Sequence, residues 1–272
     1  MRVFTIPNME VELLQHDSSQ AVSEDAYYLY LKVVEAIQDT KPHLPSDSKA
    51  CLATTVWVGN RVLDLGTGNG ILLLMLAKDF QDMYFTGIEI IKELCEIAVI
   101  NFERMSEYLK IRSGDFQSPN CSGDFQSSDF RCLKYRILNA DYAKPDDVLK
   151  DEQFDLIVSN PPYYPIGTGR MSKDSIKAAA RFELTANLMQ LLQCVKSYLK
   201  RDGKSFIIFP LKRSSEFVAS CRQIGLAIKS SVYIDYHTKS LHKDLVTEDV
   251  GAISNRPKVN SKTKVIYEVV HA

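Results

Sequence analysis

Asn160-Pro161-Pro162-Tyr163 stands directly after the apolar run Phe154 to Ser159. Asparagine supplies a side-chain carbonyl that accepts hydrogen bonds, two prolines stiffen the backbone, and tyrosine offers a flat ring. Asn-Pro alone would suffice for a turn, so the full set reads as a rigid cup for a planar amide or amine. A second constellation, Asp64-Leu65-Gly66-Thr67-Gly68-Asn69-Gly70, joins an apolar run to a helix-forming one. Glycines admit positive φ and close approach of a ligand to the backbone, and the helix start adds free N–H donors. The glycines are evenly spaced, unlike G-x-G-x-x-G, so the turn does not demand a pyrophosphate. Glu89 follows Gly70 by 19 positions, where a carboxylate can accept both hydroxyls of a ribose. Asp141, with Tyr142 beside it, suits either an adenine amine or a helix cap.

These groups need a scaffold, and the pattern from Arg61 onward is strand, helix, strand, helix. Expected strands are 62–65, 84–89, 136–141, 154–159 and 205–209. Expected helices are 71–78, 93–108, 184–199 and 214–224, with Gly203 as a helix cap. Two alternating runs, 228–236 and 264–270, lack a crossover helix and should pair antiparallel at the sheet edge. Near the beginning, Ser23 should cap a helix that runs to Thr40 and buries Tyr28, Leu31, Val34 and Ala36 or Ile37. Such alternation predicts an α/β fold: a mostly parallel seven-stranded sheet with an antiparallel edge and helices on both faces. In that arrangement Asp64, Glu89, Asp141 and Asn160 all fall at the carboxyl ends of strands, the ligand-binding edge of an open sheet.

A chain of 272 residues with net charge -1 and 45% hydrophobic residues fits one globular domain with a sizeable core. The expected division is a single domain over 1–272, with an amino-terminal helical extension (1–50), a surface insertion (112–131) and a polar loop (237–262). The insertion holds a short duplication: Ser113 to Ser118 repeats as Ser122 to Ser127. Six cysteines without close pairs, five scattered histidines and no apolar stretch near ~20 residues argue against disulfides, a metal site and a membrane span. No signal peptide is recognisable. The expectation is a cytoplasmic protein, working as a monomer.

The glycine turn with its preceding acidic residue resembles the loop of class I S-adenosylmethionine-dependent methyltransferases. With Glu89, Asp141 and Asn160-Pro161-Pro162-Tyr163 in that order, the chain resembles the amino-methyltransferases of that fold, which act on adenine amines or the glutamine amide. Tyr164 to Arg170 and the Ala180-Arg181-Phe182-Glu183 element, with Gln15 and Ser23-Glu24-Asp25 upstream, are similar to the bacterial tRNA(Val) adenine-37 N6-methyltransferases. The segment from His16 to Val22 departs from that family in lacking glycine.

The resemblance implies S-adenosyl-L-methionine as cofactor, held by Asp64, Gly66, Thr67, Gly68, Asn69, Gly70, Glu89, Ile90, Asp141, Tyr142 and Asn160. It implies a catalytic set of Asn160, Pro161, Pro162 and Tyr163. Substrate contacts would come from Tyr163, Tyr164, Arg170, Arg181 and Glu183. Arg181 suits a phosphate contact or an ion pair with Glu183. Further phosphate contacts are expected from Lys173 and Lys177, and from Lys239, Lys243, Arg256, Lys258, Lys262 and Lys264. The implied activity is methyl transfer to N6 of adenine in tRNA. Alternatives are a protein glutamine methyltransferase acting on a translation release factor, or a non-catalytic scaffold.

Overall fold

The computed structural model describes residues 1–5, 11–16, 24–39, 61–113, 133–163, 187–236, 239–244 and 263–272. The chain runs β1 (Arg2–Thr5), β2 (Glu12–Gln15), α1 (Glu24–Gln38), β3 (Arg61–Leu65), α2 (Ile71–Asp79), β4 (Tyr84–Glu89), α3 (Lys92–Ser113), β5 (Lys134–Asn139) and α4 (Asp146–Leu149). It continues through β6 (Phe154–Ser159), α5 (Leu188–Tyr198), β7 (Leu199–Pro210), a 3-10 turn at Leu211–Arg213, α6 (Ser214–Ile224), β8 (Leu226–Asp235), β9 (Ser240–Asp244) and β10 (Lys264–His271).

The main sheet has eight strands in the order β5-β4-β3-β6-β7-β10-β8-β9, one more than expected. β5 through β7 are parallel; β10 runs antiparallel to both of its neighbours, and β8 pairs antiparallel with β9. The antiparallel pairing of the last two runs is therefore present, but β10 lies inside the sheet instead of at its edge. Its residues Val265 to Val269 are buried, which suits an interior strand covered on both faces. A two-stranded hairpin, β1–β2, was not foreseen in the amino-terminal segment.

Successive strand residues feed opposite faces, as the two-residue period of a strand requires. Val62, Phe85, Leu156, Val158, Phe206 and Ile208 pack against α1, α2 and α3, whose contributions include Leu29, Val33, Leu73, Leu76 and Phe102. Leu63, Leu65, Ile157, Ile207 and Phe209 pack against α5 and α6 through Leu191, Leu192, Val195 and Phe217. Strands buried on both sides explain the near-continuous apolar runs.

Three further expectations need correction. α1 buries Leu29 and Val33 with Tyr28, Ala36 and Ile37, whereas Leu31 and Val34 are only partly covered. Gly203 caps no helix: α5 ends at Tyr198, its chain turns at Leu199 straight into β7, and Gly203 lies within that strand. A Cβ there would lie 2.8 Å from Leu199 Cδ1 and 3.0 Å from the Lys200 carbonyl oxygen, so close packing accounts for the glycine. α5 starts at Leu188, where Asn187 and Gln190 form a reciprocal capping box. Ser23, Leu184 and all of the duplicated insertion except Ser113 lie outside the described residues.

Candidate active site

Parallel pairing sets the strand ends side by side. Asp64 of β3 stands in register with Gly87 of β4 and Val158 of β6, and Glu89 of β4 with Asn139 of β5. The glycine turn, Glu89 and Asn160 therefore share one sheet edge. The buried Ser159 hydroxyl donates to the Leu65 carbonyl at 2.7 Å, clamping the chain before Asn160 to the chain before Gly66.

The turn after β3 is held from β4: Gly66 N–H and Thr67 N–H both donate to the Ile88 carbonyl at 3.0 Å. Gly66, Gly68 and Gly70 have φ of 80°, 58° and 83°, a left-handed conformation that side chains with Cβ disfavour. No atom lies within 4 Å of where a Gly68 Cβ would stand, so the turn faces open space there. Gly70 opens α2 without a side-chain cap.

Two carboxylates flank the turn. Asp64 is 2% exposed, and burial pushes its carboxyl up to about 7; the Thr67 hydroxyl opposes the shift and Glu89 adds to it. Glu89 is also buried and its carboxyl raised by burial, against the pull of backbone donors. Its Oε2 accepts from Gly68 N–H and its Oε1 from Ile91 N–H, both at 2.8 Å, so each oxygen retains acceptor capacity. Thr67 Oγ1 is buried next to the Asp64 carboxyl. Ile90 is exposed beside Glu89.

Asp141 stands two residues beyond the end of β5 instead of terminating the strand. Asn139 caps that end by donating to the carbonyls of Glu89 (2.9 Å) and Ile90 (3.1 Å). Asp141 Oδ1 accepts from Ala143 N–H at 2.8 Å, an Asx-type turn, and Tyr142 is buried against Leu63, Leu65 and Ile88.

Asn160, Pro161, Pro162 and Tyr163 follow β6 as expected, and the surroundings of Tyr163 are built from distant parts of the chain. Its hydroxyl lies 3.2 Å from Asp25 Oδ2 and 3.3 Å from Asn160 Oδ1. Lys264 Nζ donates to both the Tyr163 hydroxyl and Asp25 Oδ2, and sits 4.2 Å from the centroid of the Tyr163 ring. Tyr236 donates to Asp25 Oδ1. Arg213 Nη1 donates to the Tyr163 carbonyl at 2.7 Å while its other nitrogens grip Glu216 and its guanidinium covers the Phe209 ring.

Asp25, Arg213, Tyr236 and Lys264 thus join the site, and only Asp25 had a sequence signal, through its place beside Ser23. Lys264 corrects an expectation: its side chain is 15% exposed and paired with Asp25, which removes it from the cations available to phosphate. Burial lowers its ammonium pKa and Asp25 counteracts the shift. Tyr164, Arg170, Lys173, Lys177, Arg181 and Glu183, with Arg256, Lys258 and Lys262, lie outside the described residues.

Another distant contact supports the glycine turn. Asn101 of α3 is fully buried; its amide donates to the carbonyls of Asn69 (3.0 Å) and Leu14 (2.9 Å), and its Oδ1 accepts from Leu14 N–H. The hairpin that ends in the buried Gln15 is thereby fastened to the turn. Among the described residues no group of acidic, cysteine or histidine side chains could hold a metal ion, and no helix is long and apolar enough to cross a membrane.

No family model matches the chain. It is 27% identical over 173 residues to the tRNA1(Val) (adenine(37)-N6)-methyltransferase of Pedobacter heparinus, covering 64% of this chain and 62% of that protein. The enzyme of the same name from Vibrio cholerae is 26% identical over 167 residues, covering 61% and 58%. The chain thus matches less than two thirds of the length of these curated relatives. A methyltransferase structure from Pyrococcus horikoshii, 14% identical, superposes with a TM-score of 0.51 over 97% of this chain and 94% of that one. The chain has the Rossmann-like fold of the class I methyltransferases, and in sequence it is similar to the tRNA1(Val) (adenine(37)-N6)-methyltransferases.

Proposed function

We propose that the protein is an S-adenosyl-L-methionine-dependent methyltransferase that acts in the cytoplasm on the exocyclic N6 of adenine in tRNA, with adenine-37 of tRNA(Val) the foremost target. The observation that carries this reading is the shared sheet edge: a ligand-ready glycine turn with two buried carboxylates beside Asn160-Pro161-Pro162-Tyr163.

The donor side suits an adenosine carrying a positive charge. Gly68 faces open space, and both Glu89 oxygens keep a lone pair for ribose hydroxyls. Glu89 supplies negative charge, and Asp64 adds its own as it ionises near pH 7. Asp141 Oδ2 is the candidate acceptor for the adenine amine, with Ile90 and Tyr142 as its apolar neighbours. When bound, the cofactor supplies an electrophilic methyl on a sulfonium.

On the acceptor side, the side-chain carbonyl of Asn160 and the carbonyl of Pro161 accept the two N–H groups of the target amine. That amine is a poor nucleophile because its lone pair is conjugated into the ring. Hydrogen bonds that favour a tetrahedral nitrogen localise the pair along the line of attack, so no prior deprotonation is required. Tyr163 stacks on the base, which must first leave its loop stack, a cost smaller in a single strand than in a duplex. Tyr164, Arg170, Arg181 and Glu183 are the proposed contacts to the surrounding RNA, and the reaction calls for no metal.

Purified protein incubated with methyl-labelled cofactor and separate tRNA and protein fractions tests the reading. The expected result is N6-methyladenosine in nucleosides from the tRNA, with turnover lowered ~10²-fold or more by Asn160→Ala, the scale of losing one transition-state hydrogen bond. Label on a glutamine of a release factor, or unchanged turnover by Asn160→Ala, would overturn it.

A further inference from the structure

The Tyr163 hydroxyl meets Asp25 at the start of α1 and Lys264 at the start of β10, and Tyr236 just after β8 fastens Asp25 in turn. The cluster is well buried, with Asp25 at 11% and Lys264 at 15% side-chain exposure. Burying this ion pair is costly, and such pairs survive only where further hydrogen bonds complete them. Here Asp25 receives Lys264 on one oxygen and Tyr236 on the other.

The Tyr163 hydroxyl accepts from Lys264, and among the described residues its single proton meets two acceptors: Asp25 Oδ2 at 3.2 Å and Asn160 Oδ1 at 3.3 Å. A carboxylate is the stronger acceptor of the two. It draws the proton toward α1 and reduces the competition for Asn160 Oδ1, the atom that receives the substrate amine in the reading above. The Lys264 ammonium, 4.2 Å from the ring centroid, anchors the hydroxyl end of Tyr163, and the Arg213 bond to its carbonyl anchors its backbone.

We propose that Asp25 and Lys264 are positioning residues for methyl acceptance: they hold the Tyr163 ring and draw its hydroxyl toward Asp25, so that Asn160 Oδ1 serves the incoming amine. The inference rests on the assignment of the acceptor site to Asn160 and Tyr163, and it makes α1 and β10 parts of that site instead of mere cover for the sheet.

Kinetics of Lys264→Met, Lys264→Arg and Asp25→Asn, each with cofactor affinity by calorimetry, test it. Lys264→Met and Asp25→Asn should lower kcat about 10- to 100-fold, the scale of a lost hydrogen bond to a charged group. Cofactor Kd should stay within about twofold, because the glycine turn is held by other contacts. Lys264→Arg restores a cation and should recover most of kcat; a purely structural role would instead track thermal stability across all three variants. Tyr163 labelled at Cζ gives a readout that needs no substrate: its NMR shift reports the hydrogen bonds of the hydroxyl and should move in Lys264→Met. Parent-level kcat in Lys264→Met, or an unaltered Tyr163 Cζ shift, overturns the proposal and leaves the tRNA reading intact. Activity of the parent on a protein acceptor and not on tRNA overturns that reading, and the same variants are then measured on that acceptor.

Discussion

Asp64 gives the sharpest quantitative prediction. Its carboxyl rises from 3.8 to about 7 because the fold buries it beside the glycine turn. A folded-state value above the unfolded one means that the native chain holds the proton longer. This contribution to stability is complete below the unfolded value and is lost as pH climbs toward 7. One unit corresponds to about 1.4 kcal/mol, so the whole window, a little over three units, is worth about 4 kcal/mol. Between pH 5 and pH 8 about 2–3 kcal/mol of it should disappear, since part is already gone at pH 5. Asp64→Asn removes the titration while keeping the shape, and the Thr67 hydroxyl beside the carboxyl can serve the new amide. Urea unfolding of both chains at pH 5, 6, 7 and 8 provides the assay. The stability of the variant relative to the parent should rise by about 2–3 kcal/mol across that range. Glu89, raised by the same cause, faces Asp64, so losing that charge eases its titration too and acts on the difference in the same direction. A difference that stays flat to within about 0.5 kcal/mol would refute the reasoning, because Asp64 would then be ionised in the fold already at pH 5.

Two further outcomes follow from packing. Gly203→Ala should destabilise by about 1–3 kcal/mol in thermal or urea unfolding, since the added methyl meets Leu199 Cδ1 and two backbone carbonyls at 2.8–3.1 Å. Asn101→Ala strips three hydrogen bonds from Leu14 and Asn69 in a fully buried setting and should cost on the order of 2–4 kcal/mol. In the same variant, hydrogen exchange at Leu14 should accelerate and cofactor affinity should fall, because the hairpin and the glycine turn lose their common anchor.

The central strands and the donor side were legible because their causes are local. Runs such as Phe154 to Ser159 are buried on both faces and so are apolar throughout, and each ends at a residue that stops the ladder. The glycine turn, Glu89 and Asn160 are placed by strands only a few residues away in register. Where the cause was not local the reading slipped. α1 was assigned a face that includes Leu31 and Val34, because a pattern of apolar residues gives no reason to bury Asp25 or Lys32. Both are inside: Asp25 serves Tyr163, and Lys32 pairs with Glu35 at 2.8 Å. Gly203 was read as a cap from its position after a helical run, although the chain enters β7 with no loop. β10 was placed at the edge because nothing within its own sequence records that two strands flank it.

The same distinction divides the site itself. The donor half depends on contacts among β3, β4 and α2, with Ser159, Asn139 and Asn101 tying it to β6, β5 and α3. The acceptor half depends on Asp25 and Lys264, which are 239 positions apart and meet only because α1 packs over β7 and β10 inserts beside it. A pair separated so widely has no spacing that marks it, and Lys264 in isolation resembles any surface lysine near a polar loop. The two halves must therefore respond differently to perturbation. A change that loosens α1 or β10 should act on Tyr163 and on acceptor turnover while leaving the glycine turn in place. A change near Gly68 or Glu89 should weaken donor binding while leaving the Tyr163 cluster assembled.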